Sequence, residues 1–206
     1  MKQEINTQLI DAADRLRSKG LFVPENDSLS MRIPGSEEYL LATGTSDEIK
    51  TVSFVSDSPH AIVYRSRGDS GAVLIGTTQW SVAIAAIGKS PPVMYDEQAR
   101  HIGKIPAVIA ETDSAGLEQA IETGANIIFY GNQCIRIGMT RDRVVFNAEL
   151  FEKCGLAFVV AHSSGGRIKT IPRWVQYIAG GRLRKDQHRA AESYAIGKIP
   201  EGMNAY

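Results

Sequence analysis

The sequence predicts an α/β domain with mixed strand order. Three observations carry this expectation: an amphipathic helix opens the chain, a Pro-Gly turn reverses two short strands, and brief apolar runs alternate with small-residue helical segments. In the first helix Ile5, Leu9, Ala12, Ala13 and Leu16 recur at helical spacing. Gly20 stands where a helix end favours a left-handed residue. SLSMRIPGSEEYLLATG reads as strands near 28–33 and 38–42 around the Pro34-Gly35 turn. His60, Ala61, Val63 and Tyr64 begin a short helix that Gly68 and Gly71 close, and AVLIGT follows as a run short enough for a buried strand. SVAIAAIG is a small-residue helix suited to close packing on that strand. Further on, 105–110 reads as a strand, 114–123 as a helix, and 126–130 and 133–137 as two strands. Thr140 is a good N-cap for a long helix with Val144, Ala148, Phe151, Cys154 and Phe158 on one face.

From Ser163 the pattern weakens into glycine-punctuated, charged sequence whose apolar cluster is Trp174, Val175 and Ile178. A main domain over 1–162 is therefore expected. Residues 163–206 would form a peripheral helix and basic tail, packed on the same domain or on a neighbouring subunit.

With 206 residues, 43% of them hydrophobic, the chain suits a single core. Its 23 basic and 23 acidic residues cancel, so no global field points to nucleic acid or membrane. The positive excess is local, eight Lys or Arg against three Asp or Glu in 163–206. The N-terminus lacks an apolar signal core and no run is long enough to span a bilayer. Two cysteines, Cys134 and Cys154, make no disulfide framework. A cytoplasmic protein with a small polar ligand or a protein partner is expected.

The order of segments resembles the class II aldolase/adducin family over roughly residues 5–160. SLSMR (28–32) stands where that family has Gly-Asn-x-Ser-x-Arg, and LLATGTS (40–46) where it has a phosphate loop. HAIVYRSRGDSGAVL (60–74) stands where it has His-x-x-Ile-Tyr-x-x-Arg-x-Asp-x-x-Ala-Val-Val, and PPVMY (91–95) and GNQCIRIGMT (131–140) complete the likeness. The resemblance implies a three-layer α/β/α domain with a mixed, largely antiparallel central sheet. It also implies a homo-oligomer, ring tetramers with sites between subunits being common in the family.

The chain departs from the family at the metal. Class II aldolases polarise a carbonyl with Zn²⁺ on three imidazoles. Here the His-x-His strand falls on Ile75 and Thr77, and the third histidine on Asn132. The catalytic carboxylate falls on Ser56, or on Asp57 one residue along. Isoleucine offers no donor, and Asn and Thr bind zinc poorly, so no metal and no cofactor are expected at this site.

The candidate site residues follow from that register. Ser28 stands in place of the family's Asn, while Thr43, Gly44 and Thr45 offer hydroxyls and backbone N–H groups to an anion. Thr77 and Asn132, with Gln79, would form a neutral hydrogen-bonding cluster able to hold a carbonyl oxygen or enolate, or else a satisfied polar network filling the vacated space. Tyr95 matches a position where family aldolases carry a proton-donating tyrosine, and Tyr206 matches C-terminal tyrosines that reach a neighbouring site. Glu97 and His101, four apart, are an acid/base pair or half of a relocated metal site. His60, Arg65, Arg67, Asp69 and Cys134 read as structural. Two function classes stay open beside a third reading, a lyase using a relocated metal site built on Glu97 and His101. One is a metal-independent lyase, decarboxylase or isomerase acting on a small anionic carbonyl compound through an enolate-like intermediate; the other is a non-catalytic, adducin-like assembly or binding module.

Overall fold

Alternation of apolar side chains sorts the strands onto the two faces of one sheet. The structure, a computed structural model, describes residues 1–23, 25, 27–44 and 46–203. Its strands are β1 (Ser28–Arg32), β2 (Glu38–Thr43), β3 (Ser46–Ser53), β4 (Ala72–Gly76), β5 (Ile127–Tyr130) and β6 (Gln133–Gly138). They lie in the order β3-β2-β1-β4-β6-β5, and every neighbouring pair is antiparallel. The helices are α1 (Lys2–Ser18), α2 (Pro59–Ser66), α3 (Gln79–Ile87), α4 (Ser114–Glu122), α5 (Arg141–Ser163) and α6 (Arg173–Ala195), with a π-helical turn at Gln98–Ile102.

Successive strand side chains point to opposite faces. Leu29, Met31, Leu40, Ala42, Ala72 and Leu74 therefore meet α1 and α5. Tyr39, Val73, Ile75, Ile128, Ile135 and Ile137 meet α2 and α4. On the α5 side Ile127, Phe129 and Cys134 continue into a third cluster with Ile84, Phe151 and Cys154. The result is the expected three-layer α/β/α arrangement.

Three elements differ from expectation. Segment 105–110 is not a strand; it contributes one parallel bridge, Ile109 to Tyr130, and Pro106 has no N–H to offer a ladder. Conversely β3 is a strand that the pattern did not announce. Its sequence SDEIKTVS is polar because it lies at the sheet edge, where only Ile49 and Val52 have partners in the core. Finally, the helix expected after Ser163 is α6, which runs for 23 residues through Gly180-Gly181 and takes up sequence that was expected as an extended tail. Tertiary bonds override the weak local propensity. Asp186 pairs with Arg100 at 2.5 Å and with Arg143 at 3.2 Å, Gln187 donates to the Gly124 carbonyl, and Tyr194 donates to that of Met139.

The turn into β4 is fixed by Arg67, 5% exposed, whose guanidinium bonds both Asp69 oxygens, the Ala125 carbonyl and Asn126 Oδ1. Arg65 donates to the Phe54 and Ser56 carbonyls. Arg67→Met would leave the Asp69 charge buried without its partner, and a loss of about 3–5 kcal/mol in urea unfolding is the expected result. A loss under about 1 kcal/mol would show that the pair merely fills space.

Candidate functional site

Antiparallel register gathers four strand ends at one edge of the sheet. Ser28 opens β1 opposite Thr43 at the end of β2 and opposite Ile75 in β4, and Gly76 faces Cys134 near the start of β6. This places Ser28, Thr43, Gly44, Thr77 and Asn132 at the same end. Thr45 and Tyr206 lie outside the described residues.

The residue that ties these ends together is Asp27, which the sequence pattern did not single out. Its buried carboxylate accepts the Val23 N–H at 2.7 Å and the Thr77 N–H at 3.1 Å, while its carbonyl accepts from Gly44 N–H at 2.9 Å. Only glycine fits at 76, since a Cβ there would overlap the Asp27 carboxylate. Burial pushes the Asp27 pKa up, against the two backbone donors and the charge of Arg136.

Behind this edge, on the α5 side of the sheet, lies a buried polar cluster. Thr78 caps α3, with Ser81 completing a capping box. The Thr78 hydroxyl donates to Glu152 of α5 and accepts from Arg136 Nη2 at 3.3 Å. Among the described residues Arg136, 1% exposed, reaches one further acceptor, the Cys134 carbonyl at 3.4 Å, and its Nε has no partner. Burial raises the Glu152 pKa, opposed by the Thr78 bond and by Arg136. Two carboxyls whose pKa burial raises thus lie within the field of one incompletely bonded guanidinium. The signals available in the sequence were a lone arginine in the apolar strand CIRIG and a glutamate between Phe151 and Cys154 on a core-facing helix.

The donor set does not fit a zinc ion. Ile75 is part of the apolar core on the α2 side, Thr77 is half-buried, and Asn132 is exposed in the β5–β6 turn. Ser56 bonds Ser58 and Tyr39, and Asp57 is exposed. His60 hydrogen-bonds Ser28 Oγ at 2.8 Å through Nε2 and Ser30 Oγ at 2.7 Å through Nδ1, one ring nitrogen donating and the other accepting. His101 contacts Arg143, His162 stacks on Phe158, and His188 pairs with Glu192 on α6. Among the described residues no group of three or more His, Cys, Asp or Glu is placed to hold a metal, and no step below passes through one.

His101 is placed against Arg143 near the start of α5, and Tyr95 against Lys153 further along the same helix. Tyr95 is half-buried against the third core cluster, with Lys153 Nζ 5.7 Å from its ring centre. Glu97 pairs with Lys153 at 3.0 Å instead of His101. The His101 Nδ1 meets Arg143 Nη1, its ring stands edge-on to Phe146, and burial with the Arg143 charge pushes its pKa down to about 4. Arg143 and Glu152 are nine residues apart, hence roughly 14 Å along α5. Gln79 is exposed in the first turn of α3. Cys134 is buried, with its thiol pushed up to about 11, as a core cysteine should be.

Among solved structures the chain is similar to an L-fuculose 1-phosphate aldolase from Glaciozyma antarctica PI12, with TM-score 0.69 and 14% identity over 91% of this chain and 85% of that one. It is also similar to YgbL of Klebsiella pneumoniae, a putative aldolase/epimerase/decarboxylase, with TM-score 0.71 and 14% identity over 87% and 99%. An aldolase II superfamily protein from Pseudomonas syringae gives TM-score 0.68 and 17% identity over 95% of each chain. No protein-family model and no curated protein matches the sequence. The chain therefore has the class II aldolase-like fold, established by shape at low sequence identity. Among the described residues no helix is long and apolar enough to cross a membrane.

The His60 network generates a pH dependence. Burial lowers the His60 pKa from 6.5 to about 3, so between those values the unfolded chain takes up a proton that the folded one refuses. Stability from this group is full above 6.5 and is lost as the pH falls toward 3. The advantage of the wild type over His60→Gln, measured by urea unfolding, should therefore narrow as the pH is lowered from about 7 to about 4.5. A gap that stays constant would place the charged imidazole in the folded state.

Proposed function

We propose that this protein is a metal-independent enzyme on the class II aldolase scaffold, acting on a small anionic carbonyl compound through an enolate-like intermediate. The observation that carries the proposal is Glu152. Its half-buried carboxyl, with raised pKa, is held by Thr78 beside Arg136 at the strand ends where Ser28, Thr43, Gly44, Thr77 and Asn132 converge. Formation of an enolate, by loss of a proton or by cleavage of a bond next to a carbonyl, needs two things: a group that carries the proton, and donors at the oxygen where charge develops. Glu152 takes the first role, with Arg136 balancing its charge. Thr77 and Asn132 take the second. Ser28, Thr43 and Gly44, together with Thr45 and Gln79, bind the anionic end of the substrate. Lyase, decarboxylase and isomerase reactions all share this intermediate.

We assign Tyr95, His101 and Tyr206 to sites completed between subunits of a homo-oligomer. Exposed apolar side chains on the adjacent helices α3 and α5, namely Val82, Leu156 and Val160, support an assembly of this kind. Two buried free cysteines support a cytoplasmic setting.

An enolate reveals itself by exchange of the α-proton with solvent, whatever the later steps. Phosphorylated and carboxylated carbonyl compounds incubated with the protein and a chelator in D₂O should lose their α-proton NMR signal for at least one member of the series. Glu152→Gln and Thr77→Val should each slow that exchange by about 10²–10³-fold. No exchange with any compound would refute the enolate chemistry and favour the adducin-like binding module.

A further inference from the structure

A large cleft lies away from the strand ends. It encloses about 820 Å³ between the first half of α6 and the body of the domain, and its lining shares no residue with the site described above. That volume is suited to a small-molecule ligand. The cleft exists because glycines thin both walls. On α6, Gly180 lets the Arg184 guanidinium fold back along the helix, with Nη1 3.6 Å from where a Cβ would stand. On the opposite wall Gly103 and Gly124, both at φ +79°, let Leu183 and Gln187 approach closely.

Its chemistry is one-sided. Lys104, Arg173 and Arg184 line it, no Asp or Glu does, and none of the three cations forms an ion pair among the described residues. Elsewhere in the same region cations are paired, as Arg100 and Arg143 are with Asp186. Trp174 and Tyr177 also line the cleft and remain 67% and 76% exposed, two flat apolar surfaces beside three positive charges. Gln187 donates its amide N–H to the Gly124 carbonyl, leaving its Oε1 as an acceptor on the wall. Aromatic faces take flat rings by stacking, and clustered Arg and Lys take phosphates.

We propose that this cleft binds a nucleoside phosphate, its base stacked on Trp174 and Tyr177 with Arg173 beside them, and its phosphates held by Lys104 and Arg184 at the other end. Ring and anion are both required: the cations supply long-range attraction, and the aromatics distinguish a nucleotide from a bare polyphosphate.

The chain has two tryptophans, so in a Trp80→Phe background Trp174 alone reports on the cleft by fluorescence. ATP should quench it saturably with a Kd below about 1 mM, adenosine should bind at least tenfold more weakly, and inorganic triphosphate should displace ATP only at higher concentration. Binding should weaken with added salt, and Lys104→Glu with Arg184→Glu should weaken it at least tenfold while the melting temperature stays at the wild-type value. Should the double variant melt early, Arg173→Glu alone, at the exposed first turn of α6, repeats the test. Non-saturable quenching, or quenching untouched by charge reversal, overturns the proposal. So does a Trp174 signal that changes with protein concentration alone, which would show a second copy of the chain in the cleft. Glu152→Gln should leave nucleotide binding unchanged, so failure here and failure of the enolate chemistry are separately visible.

Discussion

The carboxylate of Asp27 is the constraint on which the strand-end geometry depends. It fastens the chain before β1 to the end of β4 through the N–H groups of Val23 and Thr77, and its own carbonyl holds Gly44 beyond β2. Three segments distant in sequence are thereby set within one hydrogen-bonded knot. The knot closes only because Gly76 has no side chain, and it is affordable electrostatically because Arg136 lies within Coulombic reach. Fixing Thr77 also fixes Thr78, the next residue. Thr78 then begins α3, holds Glu152 on α5 and accepts from Arg136. The positions of the two carboxyls, the guanidinium and the open donors thus follow from one another.

The two buried arginines of the sheet region show how structure and chemistry differ in such a fold. Arg67 has acceptors all around: two Asp69 oxygens, a carbonyl and an amide oxygen, a closed arrangement with nothing left to offer. Arg136 is buried as deeply but has two long hydrogen bonds and an orphaned Nε. A buried donor without a partner costs stability of order 1–3 kcal/mol. Its charge nevertheless lowers the cost of ionising both Asp27 and Glu152. Arg67 is thus held by its acceptors, whereas Arg136 is shared between two neighbouring carboxyls.

Much of the fold was legible because it is written in local periodicity, and the residues carrying the family resemblance turn out to hold the fold. Ser30 bonds His60 and Tyr64, and Arg32 bonds the Ser70, Tyr64 and Arg67 carbonyls beneath the rings of Phe54, Tyr64 and Tyr194. A motif made of such residues announces architecture and is silent about chemistry. What escaped has physical reasons. The edge strand β3 needs little apolar sequence, and 105–110 has the composition of a strand but a proline where a ladder needs an N–H. Asp27, Arg136 and Glu152 escaped because a charge in a sequence does not declare its burial. Only the pairing of β4 with β6, and the lie of α5 across them, brings the three together. The set of Ser28, Thr43, Gly44, Thr77 and Asn132 came from the family resemblance, and the antiparallel register of β1, β2, β4 and β6 brings these positions to one end of the sheet. Glu97 and His101 line one pocket and Glu97 still acts on the imidazole, but each bonds a partner on α5, Lys153 and Arg143, a choice that helical spacing does not show.

The two faces of the sheet divide the work. On the α2 side the polar groups Ser28, Ser30, His60 and Tyr64 satisfy one another, and Ile75 packs among Val73, Ile135 and Ile137. The place where the resemblance would put an imidazole is therefore filled with hydrocarbon, not left as an empty socket. A histidine there would be buried in apolar surroundings and would have its charged form suppressed, as burial already does to His60. On the α5 side the polar groups are incompletely bonded, and the carboxyls stand above their ordinary proton affinity. Burial that would disable an imidazole as a charged acid raises a carboxyl toward the range where it can carry a proton. The groups that satisfy one another thus lie on the α2 face of the sheet, and the incompletely bonded ones on the other, along α5.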